Sequence, residues 1–187
     1  PDEITTAVTP SLNITDSRNG TTISDVTIKI RNGANNRLGT ISTQTNSDNV
    51  TSESLSLTPG IYTFELSKTG YSTKYQTVTV TAATTRLNFD LLSFNTASNV
   101  NSSAFATIIV RWGENPRDVD SYLLFNNTNP QAVIYYENQS YGAIPSDKNN
   151  PCATSDVVAS LDLDDTTSYG PETTSICDGS KGPFEFK

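Results

Sequence analysis

The side chains best suited to chemistry in this sequence are carboxylates. LDLDDTTSYGPE, residues 161 to 172, holds Asp162, Asp164 and Asp165 within four positions and closes on Glu172, and a separate DVD places Asp118 and Asp120 two apart. A catalytic acid pair, a cation site and a solvated turn all fit such a pattern. Hydrolysis by two carboxylates requires one acid with a raised pKa, and oxygens about 5 or 6.5–9.5 Å apart across a cleft; Asp120 with Asp164 is the pair that could be drawn. The chain has no histidine, no nucleophile elbow and no phosphate loop, so enzymatic activity is not expected.

Strand alternation predicts Asp162 and Asp164 on one face with Leu161 and Leu163 on the other, and Asp118 and Asp120 on a shared side. Brought to one rim, these acids would repel strongly unless protons or a cation offset them. A hard, oxygen-seeking ion fits best, so Ca²⁺ is the expected cofactor, with Asp118, Asp120, Asp162, Asp164, Asp165 and Glu172 as candidate ligands. The loop is not an EF-hand, since the sixth position from Asp162 is Thr167 rather than glycine. The competing reading leaves the two acidic stretches as separate turns, with Tyr169, Gly170 and Pro171 shaping a corner.

The elements that must position these acids read as strands. Short alternating runs bounded by Gly, Pro, Asn and Ser recur throughout, and helical periodicity is nearly absent. In DVTIKIR, Val26, Ile28 and Ile30 face one way; in IYTFELS, Tyr62, Phe64 and Leu66 do; YQTVTVTA and RLNFDLL follow. After the polar stretch SFNTASNVNSSA come ATIIVRWG, AVIYYENQ, VVASLDLD and TTSICDG. The expected architecture is all-β: two tandem Greek-key β-sandwich domains with an extended N-terminal segment. The boundaries are 1–19 for that segment, 20–92 for the first sandwich, 93–104 for a linker and 105–187 for the second sandwich.

LTPGIYTFELSKTGYSTKYQTVTV at the centre of the first module resembles the carboxypeptidase regulatory-like and transthyretin-like family of small Greek-key modules. Related pilin modules join a lysine to an asparagine by an isopeptide bond, which singles out Lys29, Glu65 and Asn88; parity turns Lys29 and Glu65 away from the core, so the bond is not expected here. In the second module, IIVRWGENPRDVDSYLLF, VIYYEN and SLDLDDTTSYGPETTSI resemble the YfaP-like domain. That secreted module is marked by a tryptophan-glycine, an acid-x-acid pair, a tyrosine pair and an acidic run ending in tyrosine-glycine-proline-glutamate. Domains of that type continue past the glutamate with a further strand, whereas this sequence closes on GPFEFK.

Composition bounds the setting. A net charge of −8 and a pI near 4.4 would repel a phosphate backbone, so nucleic acid is not an expected partner. No apolar run is long enough to span a membrane as a helix. PDEITTAV lacks the basic start and apolar core of a signal peptide, so residue 1 reads as a processed end. Cys152 and Cys177 are the only cysteines and read as one disulfide of an oxidising compartment, contributing roughly 3 kcal/mol in the chain-entropy model. Asn-X-Ser/Thr triplets at Asn13, Asn19, Asn49, Asn101, Asn126 and Asn138 read as acceptors for N-linked glycans on an extracellular, secreted or cell-surface chain.

Two functions follow as expectations. One is a structural subunit of a surface fibre, self-associating into a homopolymer when a neighbour's strand completes an unpaired edge of the second sandwich, with PDEITTAVTPSLNIT as the donor. The other is a calcium-dependent adhesin module binding carbohydrate or a cell surface, with Trp112, Tyr135, Tyr136 and Tyr141 as a stacking platform.

Overall fold

The computed structural model describes residues 6–50, 54–93 and 104–187. Asn101, the first five residues of the N-terminal segment and nearly all of the expected linker lie outside the described residues, as does the side chain of Asn49. The fold is all-β, with no α-helix among the described residues and no helix long and apolar enough to cross a membrane. The described residues form thirteen strands: β1 Ser11–Asp16, β2 Thr27–Asn32, β3 Thr43–Asn46, β4 Gly60–Ser67, β5 Lys74–Val80, β6 Arg86–Leu91, β7 Ala106–Val110, β8 Leu123–Phe125, β9 Ala132–Ile134, β10 Ser140–Gly142, β11 Val157–Leu163, β12 Glu172–Ile176 and β13 Phe184–Phe186. Two compact units divide the chain: Pro1–Asp16 with Thr21–Leu92, and Ser17–Gly20 with Ser93–Lys187.

Unit 1 holds a four-stranded antiparallel sheet, β3-β2-β4-β5, and a parallel pair, β1-β6. The alternating residues that predicted β2 and β4 are its core: Val26, Ile28, Ile30, Phe64 and Leu66 are fully buried, and Phe64 packs on Phe89 of β6 with ring centroids 5.0 Å apart. The opposite face carries Lys29 and Glu65, which are cross-strand partners. Glu65 is nonetheless only 8% exposed, because Arg31 at 2.7 Å and Lys29 at 3.3 Å cover it. Burial alone would push its carboxyl up, but those two basic groups hold it below the ordinary range. Asn88 instead accepts from the Asn13 amide at 3.2 Å.

The described part of the N-terminal segment up to Asp16 belongs to this unit. Residues 11–16 form β1, in register with β6 from Ser11↔Arg86 to Asp16↔Leu91. Leu12 and Ile14 thereby turn toward the core, where Ile14 is buried. Their period of two is the ordinary strand signature, but the partner lies some seventy residues away. A second correction concerns residues 17–20, which belong to unit 2.

Unit 2 pairs a four-stranded sheet, β10-β11-β12-β7, with a three-stranded one, β13-β8-β9. Leu123, Phe125, Ile134, Ala159, Leu161 and Ile176 form its buried core, with Phe184 and Phe186 packed against them. The disulfide is Cys152–Cys177. It joins the turn before β11 to the residue after β12, so it closes one end of that hairpin while the acidic turn 164–171 closes the other.

The placement of β1 predicts that Ile14→Ala destabilises the monomer by about 2–5 kcal/mol, as core truncations do. Chemical denaturation of the isolated chain measures it; an unchanged midpoint would return residues 11–16 to solvent.

Candidate functional site

A bulge decides where the acids go. Pairing of β11 with β12 slips between Leu161↔Thr174 and Leu163↔Thr173, so two residues of β11 span one step of its partner. Asp162 therefore leaves the face expected for it. It lies with Ser175, whose hydroxyl donates to Asp162 Oδ2 at 2.6 Å, while Asp164 emerges on the other side. Asp120, Asp164 and Glu172 offer carboxylate oxygens within 4.8 Å of one another. Of the six candidate acids these three converge. Asp162, Asp165 and Asp118 are not among them.

Each of the three is fixed by a different element. Glu172 opens β12 opposite Val110 of β7 and is 1% exposed; its Oε1 accepts from the Ser121 amide at 2.8 Å and from the Ser121 hydroxyl. That contact draws the segment before β8, and Asp120 with it, to the rim. Asp164 is placed by the turn that follows. Asp165 Oδ1 accepts from the Thr167 amide and hydroxyl at 2.7 and 2.6 Å, which explains its absence from the cluster. The Tyr169 amide then donates to Gly113 O at 2.9 Å and the Ser168 hydroxyl to Glu114 O at 2.8 Å.

Gly170, at φ +57°, lies flat on the Trp112 ring, and a Cβ there would meet the indole at 2.9 Å. Tryptophan-glycine and tyrosine-glycine-proline-glutamate are thus two sides of one contact. No larger residue fits at 170.

Burial, reinforced by Asp118 and Asp120 against a weaker opposing pull from Lys148, holds the Asp164 carboxyl above its ordinary range. Burial also pushes Glu172 up, against its Ser121 bonds, and Asp164 and Asp120 add to the rise. At such spacing two ionised carboxylates repel by roughly 3 kcal/mol for an effective dielectric of 20. The arrangement can hold a proton or a hard cation. It leaves too little space between the acids for the water of an inverting hydrolase, which needs about 6.5–9.5 Å.

Asp162 answers a different need. Arg18, from the short unit 2 segment 17–20, reaches its Oδ2 at 3.0 Å and also donates to Ser93 O and Ser175 Oγ. Thr173 Oγ1 donates to Ser17 O, anchoring the same segment. Burial pushes the Asp162 carboxyl up to about 6, although Ser175 and Arg18 pull the other way. SRNG reads locally as a polar turn, so only the buried acid hints at this partner.

The tyrosines also regroup. Tyr122 and Tyr135 continue the β8-β9 register and stack at 5.5 Å with 14° between planes, and Tyr136 meets Tyr135 edge-on. Tyr141 packs on Phe125 in the core, and Trp112 serves the acidic turn, so neither joins that row. Glu137 donates no proton but accepts one from Tyr135, and its charge, joined more weakly by Asp120, raises the Tyr136 phenol. Among the glycan acceptors, Asn19, Asn126 and Asn138 are exposed and Asn13 is half-buried.

The Arg18 contact yields a signed pH dependence. Asp162 titrates higher folded than unfolded, so its contribution to stability is complete below the unfolded value and is lost as pH rises through about 6. Arg18→Met strips the ion's partner and should cost about 3–5 kcal/mol at pH 7.5, but much less at pH 5, where the carboxyl is protonated. Denaturation at the two pH values measures the difference. Compared with known proteins, the chain matches no family model and no curated protein, which leaves these side chains to carry its functional reading.

Proposed function

We propose that the chain is an extracellular, N-glycosylated structural protein whose copies pair strand to strand into a surface fibre. On this reading the two units are Greek-key sandwiches akin to the carboxypeptidase regulatory-like and YfaP-like modules. The observation that carries it is the edge of β13. Tyr122 and Lys187 exchange both backbone hydrogen bonds, so alternation turns the amides and carbonyls of Phe184 and Phe186 away from β8. β13 ends its sheet, and no described residue takes up those groups.

Residues 11–16 are poor donors for this edge because they already pair with β6. An open edge of a neighbouring copy pairs without breaking anything. Four backbone hydrogen bonds contribute about 2–6 kcal/mol together, short of micromolar affinity. The half-buried Leu124 and Val133 and the exposed Tyr122, on the same face of the sheet, supply the remaining contact area. Head-to-tail pairing whose rotation does not close a ring extends into a filament.

A second reading, a carbohydrate-binding adhesin module, is favoured by the row of exposed Tyr122 and Tyr136 around half-buried Tyr135. Flat aromatic faces with hydroxyl tips suit a sugar ring.

Phe186→Pro removes one outward amide, with Phe186→Ala controlling for the lost ring. Sedimentation and electron microscopy should find fibres for the parent and the alanine variant and none for the proline variant. A parent chain that stays monomeric, while a neutral glycan panel shifts Tyr135-dependent emission, would transfer the function to the second reading.

A further inference from the structure

Three other buried acids of this molecule have a cation of their own. Glu65 has Arg31 at 2.7 Å, Asp90 has Lys74 at 2.6 Å and Asp162 has Arg18 at 3.0 Å. Glu172 has none. It is buried like them, its Oε1 is satisfied by Ser121, and its buried Oε2 has no partner among the described residues. The buried Oδ1 of Asp164 is likewise without one. Two orphaned carboxylate oxygens, one just past the end of β11 and one at the start of β12, with a third acid within 4.8 Å, are an oxygen-only donor set lacking its positive charge.

We propose that Asp120, Asp164 and Glu172 bind one Ca²⁺, which ties the segment before β8 to the turn end of the β11-β12 hairpin. Oxygen donors without nitrogen or sulfur select a hard cation. Size then chooses between the two common ones. Opposed ligands stand about 4.8 Å apart across Ca²⁺, at about 2.4 Å each, and about 4.2 Å apart across Mg²⁺, at about 2.1 Å each. The cluster's span of up to 4.8 Å accommodates the larger ion. Exposed Asp120 leaves the outer side of the ion to water, so three protein carboxylates make a site of the weak class typical of extracellular modules, with Kd of about 10⁻⁴–10⁻³ M. The site lies wholly in unit 2 and does not depend on edge pairing at β13.

Calorimetric titration of the full chain with Ca²⁺ after EGTA treatment tests this, together with the melting temperature and the emission of Trp112, the only tryptophan, whose ring carries the acidic turn. One ion should bind in that range, with a rise in melting temperature and a change in emission, and Mg²⁺ should bind about tenfold more weakly. Asp164→Asn and Asp120→Asn should abolish the response while melting, ion-free, no lower than the parent, since each removes a repelling charge. Asp162→Asn should keep it. A flat titration, asparagine variants that respond like the parent, or equal response to Mg²⁺ would each overturn the assignment.

Discussion

One extra residue in β11 sorts the acids of this protein. Without the bulge between Leu161 and Leu163, Asp162 and Asp164 would share a face and compete for the same partners. With it, one carboxylate turns toward Arg18 and Ser175 and the other toward Glu172 and Asp120. A strand of strict period two cannot do this, because neighbouring alternate positions always point together. The bulge therefore separates a carboxylate neutralised within the chain from one that is not. That separation also fixes what the flanking elements do: segment 17–20 covers one side, and the Trp112–Gly170 contact shapes the other.

The β11-β12 hairpin is secured unequally at its two ends. Cys152–Cys177 is covalent and independent of pH and salts over the ordinary range. The opposite end depends on the Ser121–Glu172 bonds and on whatever offsets three close carboxylates. Since the disulfide sits at the far end, it limits how widely the hairpin can open without itself shaping the acidic turn.

Much of the strand pattern was legible because burial follows parity. Val26, Ile28 and Ile30, or Tyr62, Phe64 and Leu66, announce a face with no knowledge of partners, and two cysteines in a secreted-looking chain announce a bond. What stayed hidden depends on distance or on register. SLNITD alternates weakly and finds its full-length partner at RLNFDL. LDLD alternates perfectly, so nothing local betrays the bulge within it. Tyr122 enters the tyrosine row through cross-strand register with Tyr135, which no single segment contains. Very short strands such as LLF and FEF give too few positions for a period to be recognised.

The parallel pairing of β1 with β6 bears on the order in which the molecule assembles. Leu12 meets Leu87, so although Ile14–Asp16 can already pair with Thr21–Ile23, the parallel partner of the strand arrives only when nearly all of unit 1 has been synthesised. Arg18 waits longer still, since Asp162 lies 144 positions downstream. Closing the longer of these loops costs only about 0.6 kcal/mol more for each doubling of length, so the delay is one of timing rather than of stability. Residues 11–18 are thus among the last in their units to complete their long-range contacts.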